Sequence, residues 1–326
     1  MKKVSTVLCC YNEEGNISAV VEAVCDNMPA GYDYEIIVVD DGSTDGSLQL
    51  LKEMTKENHH LRYIELSRNF GHQNALKVGL DNASGDCVIS MDADMQHPPE
   101  MLPLMIAKWE EGYDIVYTRR QEDKSLPFFK RKTSKMYYRM LSFISSIEIE
   151  RGTADFRLMD RNAVNIMASL NENEPFVRGL VKWMGYKQYA IDYQPNERLS
   201  GESKYTLKKM LRLAFQGITS FSIKPLFLSL YIGFFFAALS LLYVPYIIYA
   251  FIAGHAISGW TSLIMTVIFF GGMQLFVTGI IGLYVGKSFL QTKQRPNYII
   301  RSSNIMQAAS VICPKLMTFS SVPNNH

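Results

Sequence analysis

Asp92-Ala93-Asp94-Met95-Gln96 sets two carboxylates one residue apart, directly after the apolar run Cys87-Val88-Ile89-Ser90-Met91. Carboxylates so spaced at a strand end can point toward one hard cation. Mg²⁺ or Mn²⁺ takes such oxygen ligands and completes its shell with phosphate and water. Gln96 can add a carbonyl oxygen. A cation there would offset charge building on a leaving diphosphate, which is Lewis-acid catalysis. Asp-x-Asp alone is common in turns, but two more polar clusters follow apolar runs: Tyr11-Asn12-Glu13-Glu14 and Asp40-Asp41-Gly42-Ser43. An ionised Asp41 suits a base N–H or ribose hydroxyls, because it only accepts hydrogen bonds. Asp40 reads equally as a ligand or as a turn or N-cap carboxylate.

The elements that must carry these clusters follow from hydrophobic periodicity. Residues 4–10, 35–39, 62–66 and 87–91 are apolar runs of strand length. Between them, 16–27 carries Ile17, Val20, Val21 and Val24 at helical spacing, and a second helix runs through Leu48, Leu51 and Met54. Ser43 or Thr44 can cap that second helix. A third helix spans Asn74 to Ala83 and closes at Ser84-Gly85-Asp86. Strands alternating with helices predict an α/β fold, a mostly parallel Rossmann-like sheet with helices on both faces. Ligands then sit beyond the carboxyl ends of the strands, where all three clusters fall.

The 326 residues carry a net charge of +2, which gives no nucleic-acid footprint. From Pro225 to Gly286 there is no Asp, Glu, Lys or Arg. Two apolar spans, 226–252 and 263–286, are each long enough to cross a bilayer. A buried core hairpin in a soluble protein is the alternative. Lys204, Lys208, Lys209, Arg212 and Lys224 precede the first span, and Lys287, Lys293, Arg295 and Arg301 follow the second. The short connector Gly254 to Trp260 has neither Lys nor Arg, so both termini are expected in the cytoplasm. Met1-Lys2-Lys3 and its short apolar run do not read as a signal peptide. Cys9, Cys10, Cys25, Cys87 and Cys313 have no metal spacing and are expected as free thiols. Segments 125–150 and 205–222 mix basic and apolar residues and read as interfacial helices against membrane lipid, though ordinary surface packing explains 125–150 as well. The predicted organisation is 1–224 catalytic, 225–286 a membrane hairpin, and 287–326 a partly disordered tail, with disorder expected after about residue 302. His72 and His97 lie near motifs, but nothing in the pattern gives them a role. Trp183, Met184 and Tyr186 read either as a wall for an acceptor lipid or as core.

Tyr11-Asn12-Glu13-Glu14, Asp40 to Asp45, Ser67-Arg68-Asn69-Phe70-Gly71 and Asp92 to Pro99, in this order, resemble the inverting family-two glycosyltransferases of the GT-A fold. More narrowly, the chain resembles the dolichol-phosphate mannose synthase and bactoprenol glucosyltransferase group over about residues 4–220. The resemblance implies that Cys9, Tyr11, Glu13, Val39 and Asp41 line a nucleotide pocket. Cys9 stands where the family usually has Pro, a change that a backbone contact survives. Asp92, Ala93 and Asp94 would meet the donor diphosphate, with Gln96 a further metal ligand beside Asp92 and Asp94. Asp155, in Gly152-Thr153-Ala154-Asp155-Phe156-Arg157, matches the family's candidate catalytic carboxylate. An ion pair with Arg157 or Arg151 is the structural alternative. Arg198 and Lys204 belong to a loop that closes over the donor phosphates. Arg119, Arg131 and Ser203 would bind an acceptor phosphate. Because such a phosphate is already ionised, Asp155 can orient it or balance charge instead of removing a proton.

The implied reaction moves a hexose, glucose from UDP-glucose first, to undecaprenyl or another polyprenyl phosphate. It would occur at the cytoplasmic face of a bacterial inner membrane, for modification of a cell-surface glycan such as O-antigen. Another donor, such as GDP-mannose, remains an alternative, and the family implies a homo-oligomer, a tetramer. A processive polysaccharide synthase is the second reading, but its Gln-x-x-Arg-Trp motif is absent. A non-enzymatic sensor on a degenerate fold is the third, and intact Asp92, Asp94, Asp155 and Arg198 argue against it.

Overall fold

The computed structural model describes residues 1–121, 152–173, 175–194, 222–253 and 259–305. Its centre is an eight-stranded sheet in the order β7-β5-β6-β4-β1-β2-β3-β8. The chain enters at β1 (Lys3–Cys10), then runs α1 (Ile17–Asp26), β2 (Asp33–Asp40), α2 (Ser47–Glu57), β3 (Leu61–Leu66), α3 (His72–Asn82) and β4 (Cys87–Asp92). These four strands are mutually parallel where they pair. After α4 (Leu102–Glu110) and β5 (Ile115–Arg120) comes β6 (Thr153–Asp160), antiparallel to both β4 and β5. Next are α5 (Arg161–Ser169), α6 (Val177–Trp183) and β7 (Gln188–Tyr193), the last parallel to β5. This is the GT-A-like α/β architecture, and the expected parallel sheet is present through β4.

The central strands are apolar on both faces because helices cover both. On one side Leu8, Ile36, Val38 and Ile89 pack with Ile17, Val20, Leu51 and Met105. On the other, Val7, Ile37, Val39 and Val88 pack with Leu76, Val78, Ala163 and Leu180. Helix α3 lies close on β1 because residue 79 is glycine: a Cβ there would stand 2.1 Å from Val7 Cγ1. Cys9, Cys10, Cys25 and Cys87 are free thiols.

One expectation is corrected. Ser43 and Thr44 do not cap α2, which starts at Ser47. Asp45 Oδ1 accepts from Ser47 N instead, and Ser43 Oγ accepts from Asn12 N. The disorder expected after about residue 302 falls almost wholly outside the described residues, and a short strand precedes it. Strand β8 (Ile300–Ser303) adds antiparallel to β3, with Glu65 opposite Ser302. Ser302 Oγ donates to Glu65 Oε2 at 2.5 Å, which holds this short polar strand on the sheet edge. Residues 306–326 lie outside the described residues.

The apolar region forms α7 (Lys224–Ile252) and α8 (Trp260–Thr292). Among the described residues one helix, Met265–Thr292, is long and apolar enough to cross a membrane, with a shorter apolar helix at Lys224–Phe236. Phe236 of α7 packs edge-on against Phe269 and Phe270 of α8, with ring centroids 5.5 and 5.7 Å apart. The end of α8 is tied to the sheet domain. Asn173 N donates to Gln291 Oε1 at 3.2 Å, Gln291 Nε2 donates to Asn171 O, and Asn297 Nδ2 donates to Glu172 O at 2.7 Å. The expected interfacial helices over 125–150 and 205–222 fall almost wholly outside the described residues, apart from Ser222.

Candidate active site

The carboxyl ends of β1, β2 and β4 lie side by side: Cys10 pairs with Asp40, and Cys9 with Val39 and Asp92. The loops leaving β1 and β2 are laced together. Asn12, at φ 55°, accepts from Thr44 N, while Glu13 N donates to Ser47 Oγ at 3.0 Å. Glu13 Oε2 accepts from Asn16 Nδ2 at 2.6 Å, so this side chain shapes the loop into α1. Tyr11 is 37% exposed at the mouth of this edge. Val39 is fully buried in the core, and only its backbone faces the edge.

Asp40 Oδ2 accepts from Ser43 N at 3.2 Å, closing a turn, whereas its buried Oδ1 has no partner. Asp41, only 3% exposed, accepts from Phe70 N at 2.7 Å and Gly71 N at 2.9 Å. It therefore clamps the loop that leads into α3. Burial pushes its carboxyl up to about 6, against the opposing pull of those two N–H groups. Gly42, at φ 71°, passes so close to this loop that a Cβ would meet Arg68 C at 2.6 Å.

After β4 the chain reverses at Met95, whose φ is 60°, and Gln96 N donates to Asp94 Oδ1 at 3.1 Å. The Asp92 side chain is 35% exposed. Its neighbours are two imidazoles: His72 Nε2 at 3.6 Å from Oδ1 and His97 Nε2 at 3.7 Å from Oδ2. His97 is buried, stacks on Phe156 at 5.1 Å, and accepts from Asp92 N through Nδ1 at 2.9 Å. With Nδ1 accepting, the ring proton is assigned to Nε2, toward the carboxylate. Among the described residues no Lys or Arg pairs with Asp92, and no group of three His, Cys, Asp or Glu side chains gathers into a full protein cage for a metal. Two hard carboxylates on one short loop, one of them accessible, fit a divalent cation that draws its remaining ligands from phosphate and water.

Across from this loop stands Asp155 on β6, 5% exposed. Arg178 grips it from α6, with Nε at 3.0 Å from Oδ1 and Nη2 at 2.9 Å from Oδ2. Arg157 Nη2 adds a bond to Oδ1 at 2.9 Å. Gln73 Nε2 donates to Oδ2 at 3.3 Å, and His72 Nε2 lies 3.5 Å away. Burial raises this carboxyl, but Arg178, His72 and Arg157 together hold it well below the usual carboxylate range. His72 is lowered by burial and raised more by Asp92 and Asp155, to about 9. The anticipated pair with Arg157 is present; Arg151 lies outside the described residues.

Of the basic residues singled out from sequence, Arg119 is clasped by Asp192, Nε to Oδ1 at 2.6 Å and Nη2 to Oδ2 at 3.0 Å. Arg131, Arg198, Ser203 and Lys204 lie outside the described residues. Sequence reasoning missed His72, Gln73, His97 and Arg178. His72 follows Gly71, whose φ of 94° turns the chain into α3, and that Asn-Phe-Gly-His run was the available signal. Arg178 had none, since it belongs to a helix of unremarkable pattern.

Comparison with known proteins gives a consistent picture. Residues 5–166 match the model of glycosyl transferase family 2. The chain is 44% identical to the uncharacterized glycosyltransferase YkcC of Bacillus subtilis, over 92% of this chain and 93% of that protein. It is 37% identical to the bactoprenol glucosyl transferase of Shigella phage SfII, over 93% and 98%. The S. aureus TarS 1–349 structure in complex with UDP-GlcNAc aligns with a TM-score of 0.46 at 18% identity, covering 67% of this chain and 66% of that one. Near-full-length likeness at such identity, over a sheet edge built from the family's own motifs, makes this chain a member of glycosyl transferase family 2.

Proposed function

We propose that this glycosyltransferase moves glucose from UDP-glucose to undecaprenyl or another polyprenyl phosphate, with inversion, at the cytoplasmic face of a bacterial inner membrane. One observation carries the reading: His72 stands 3.6 Å from Asp92 and 3.5 Å from Asp155. The carboxylate suited to a metal diphosphate and the carboxylate suited to an acceptor thus share one imidazole. The bactoprenol glucosyl transferase relatives support the polyprenyl phosphate, and the helix Met265–Thr292 supports a membrane anchor.

Asp92 and Asp94, with Gln96, would hold Mg²⁺ or Mn²⁺. The cation, when bound, offsets charge on the departing diphosphate. The loops after β1 and β2 receive the nucleoside: Tyr11 offers an exposed ring, and the orphaned Asp40 Oδ1 is an acceptor at the edge. Asp41 acts by fixing the 67–71 loop. Asp155 supplies fixed negative charge and not a base, because its partners hold it ionised and an ionised phosphate acceptor has no proton to lose. The second span, the cytoplasmic termini and the closing of Arg198 and Lys204 over the phosphates complete the proposal.

The test incubates detergent-purified protein, Mn²⁺ or Mg²⁺ and undecaprenyl phosphate with a panel of sugar nucleotides, and reads the lipid by mass spectrometry. A hexosyl adduct from UDP-glucose is expected. No lipid-linked sugar from any donor would overturn the reading.

A further inference from the structure

The loop that carries Asp92 and Asp94 is closed on itself by its own side chains. Met95, at φ 60°, reverses the chain. Gln96 N then donates to Asp94 Oδ1, and the reversal brings residue 97 back beside residue 92. Pro98 and Pro99 follow at once, and their rings fix φ, so the backbone leaving His97 has little freedom. One imidazole meets Asp92 twice. Nδ1 of His97 accepts from Asp92 N at 2.9 Å, and Nε2 stands 3.7 Å from Asp92 Oδ2. Because Nδ1 is an acceptor, the ring proton belongs on Nε2, the side of the carboxylate. The ring is itself held. It is 5% exposed, stacked on Phe156 of β6 with centroids 5.1 Å and planes 19° apart, and set edge-on to Tyr193 of β7 at 6.1 Å. Phe156 and Tyr193 meet edge-on at 6.4 Å. Side chains from two strands beyond β4 thus set the angle of the ring, and the ring sets Asp92.

We propose that His97 is a positioning residue for the divalent cation: it anchors the Asp92 backbone and restrains the Asp92 carboxylate in the orientation that receives Mg²⁺ or Mn²⁺. This rests on the metal-dependent reading above. A carboxylate free to rotate loses that freedom when it takes a cation, and a donor behind it removes part of the cost. At 3.7 Å the Nε2–Oδ2 approach is longer than a hydrogen bond. A small turn of the carboxylate closes it, as contacts in active sites commonly tighten when the ligand is bound. His72, 3.6 Å from the other oxygen, is the poorer candidate for this task, because it is shared with Asp155. His97 serves Asp92 through both ring nitrogens.

The experiment titrates the full chain in detergent with Mn²⁺ in the presence of UDP, and counts free Mn²⁺ by electron paramagnetic resonance. No sugar donor is present, so the readout is binding and not turnover. His97→Phe keeps a ring against Phe156 and loses both polar atoms. His97→Asn keeps an acceptor near the place of Nδ1 and loses the Nε2 proton. His97→Gln reaches an amide N–H to the neighbourhood of Nε2. The Mn²⁺ Kd should rise about 10-fold in the asparagine variant and at least as much in the phenylalanine variant, the usual loss when the partner behind a metal ligand is removed. Glutamine should recover most of that loss. Wild-type Mn²⁺ affinity in His97→Phe would make the residue a packing ring and overturn the assignment. Equal losses in His97→Asn and His97→Gln would overturn it too, because a restored donor would then count for nothing. Should the phenylalanine variant fail to fold, the asparagine and glutamine variants decide on the second criterion. A wild type that binds Mn²⁺ beside variants that bind it equally well sinks only the His97 assignment. A wild type that binds no Mn²⁺ with UDP sinks the metal-dependent reading, and the assignment with it.

Discussion

Two carboxylates of the same site live in opposite surroundings. Asp92 stands at the end of a parallel strand, 35% exposed, and among the described residues its charged neighbours are two imidazoles. Asp155 stands on the neighbouring antiparallel strand, 5% exposed, with two guanidiniums on it. The first has capacity left for a cation that arrives with substrate. The second has had its charge answered by the protein already. Residue type does not assign a role in this site; the partners do, and they divide the site into a half built for ligands and a half built for support.

Removing Asp94 is the largest blow to that division. Asp94→Ala should lower transfer on the order of a thousandfold, since a preorganised group at a developing charge is worth that much. Its melting temperature should stay within about 3 °C of wild type, because a small loss of loop stability moves a chain of this size little. Turnover assays across a Mn²⁺ titration, with melting curves alongside, check both. Undiminished metal-dependent turnover would erase the ligand half of the comparison.

Arg157→Ala attacks the other half, and stability should fall first. Breaking a buried ion pair by removing one partner costs about 3 kcal/mol, near 10 °C in melting temperature for a chain of this length. Donor KM should change little, since Arg157 is sealed from the nucleotide loops. A variant that melts like wild type would mean that Arg178 alone holds Asp155.

The same division explains what could be read from sequence. The placing of Asp92 and Asp94 at the end of β4, where the proposed ligand loop begins, was legible because its signal is local: two carboxylates one residue apart after an apolar strand. The sheet through β4 was legible because its strands are continuous apolar runs between amphipathic helices. The support around Asp155 was not legible. Arg178 reaches it from 23 residues along the chain, and Gln73 from 82 on the other side, so only the folded sheet brings them together. Strand β8 was hidden for a related reason. Its Arg301 and Ser302 are polar because their partner is Glu65 on the edge of β3 and not the core. The cap of α2 was misassigned because Ser43 has a partner on another loop, Asn12, that local rules cannot see.

A third carboxylate falls between the two extremes and gives the smallest test. Asp41 is as buried as Asp155, yet its partners are two neutral backbone N–H groups. Neutral donors do not offset burial, and its carboxyl rises to about 6. An acid raised on folding binds its proton more tightly in the native state. Between its ordinary value near 4 and about 6, unfolding releases that proton, so this group's contribution to stability is full below the window and is lost as the pH rises through it. Asp41→Asn removes the titration while keeping the shape. From pH 5 to pH 7.5 the wild type should lose about 1.5 kcal/mol more stability than the asparagine variant, a difference of a few degrees in melting temperature between the two pH values. Identical pH profiles would mean that the two N–H groups suffice to keep Asp41 ionised. Asp41 would then belong with Asp155, as a charge the protein has fully answered.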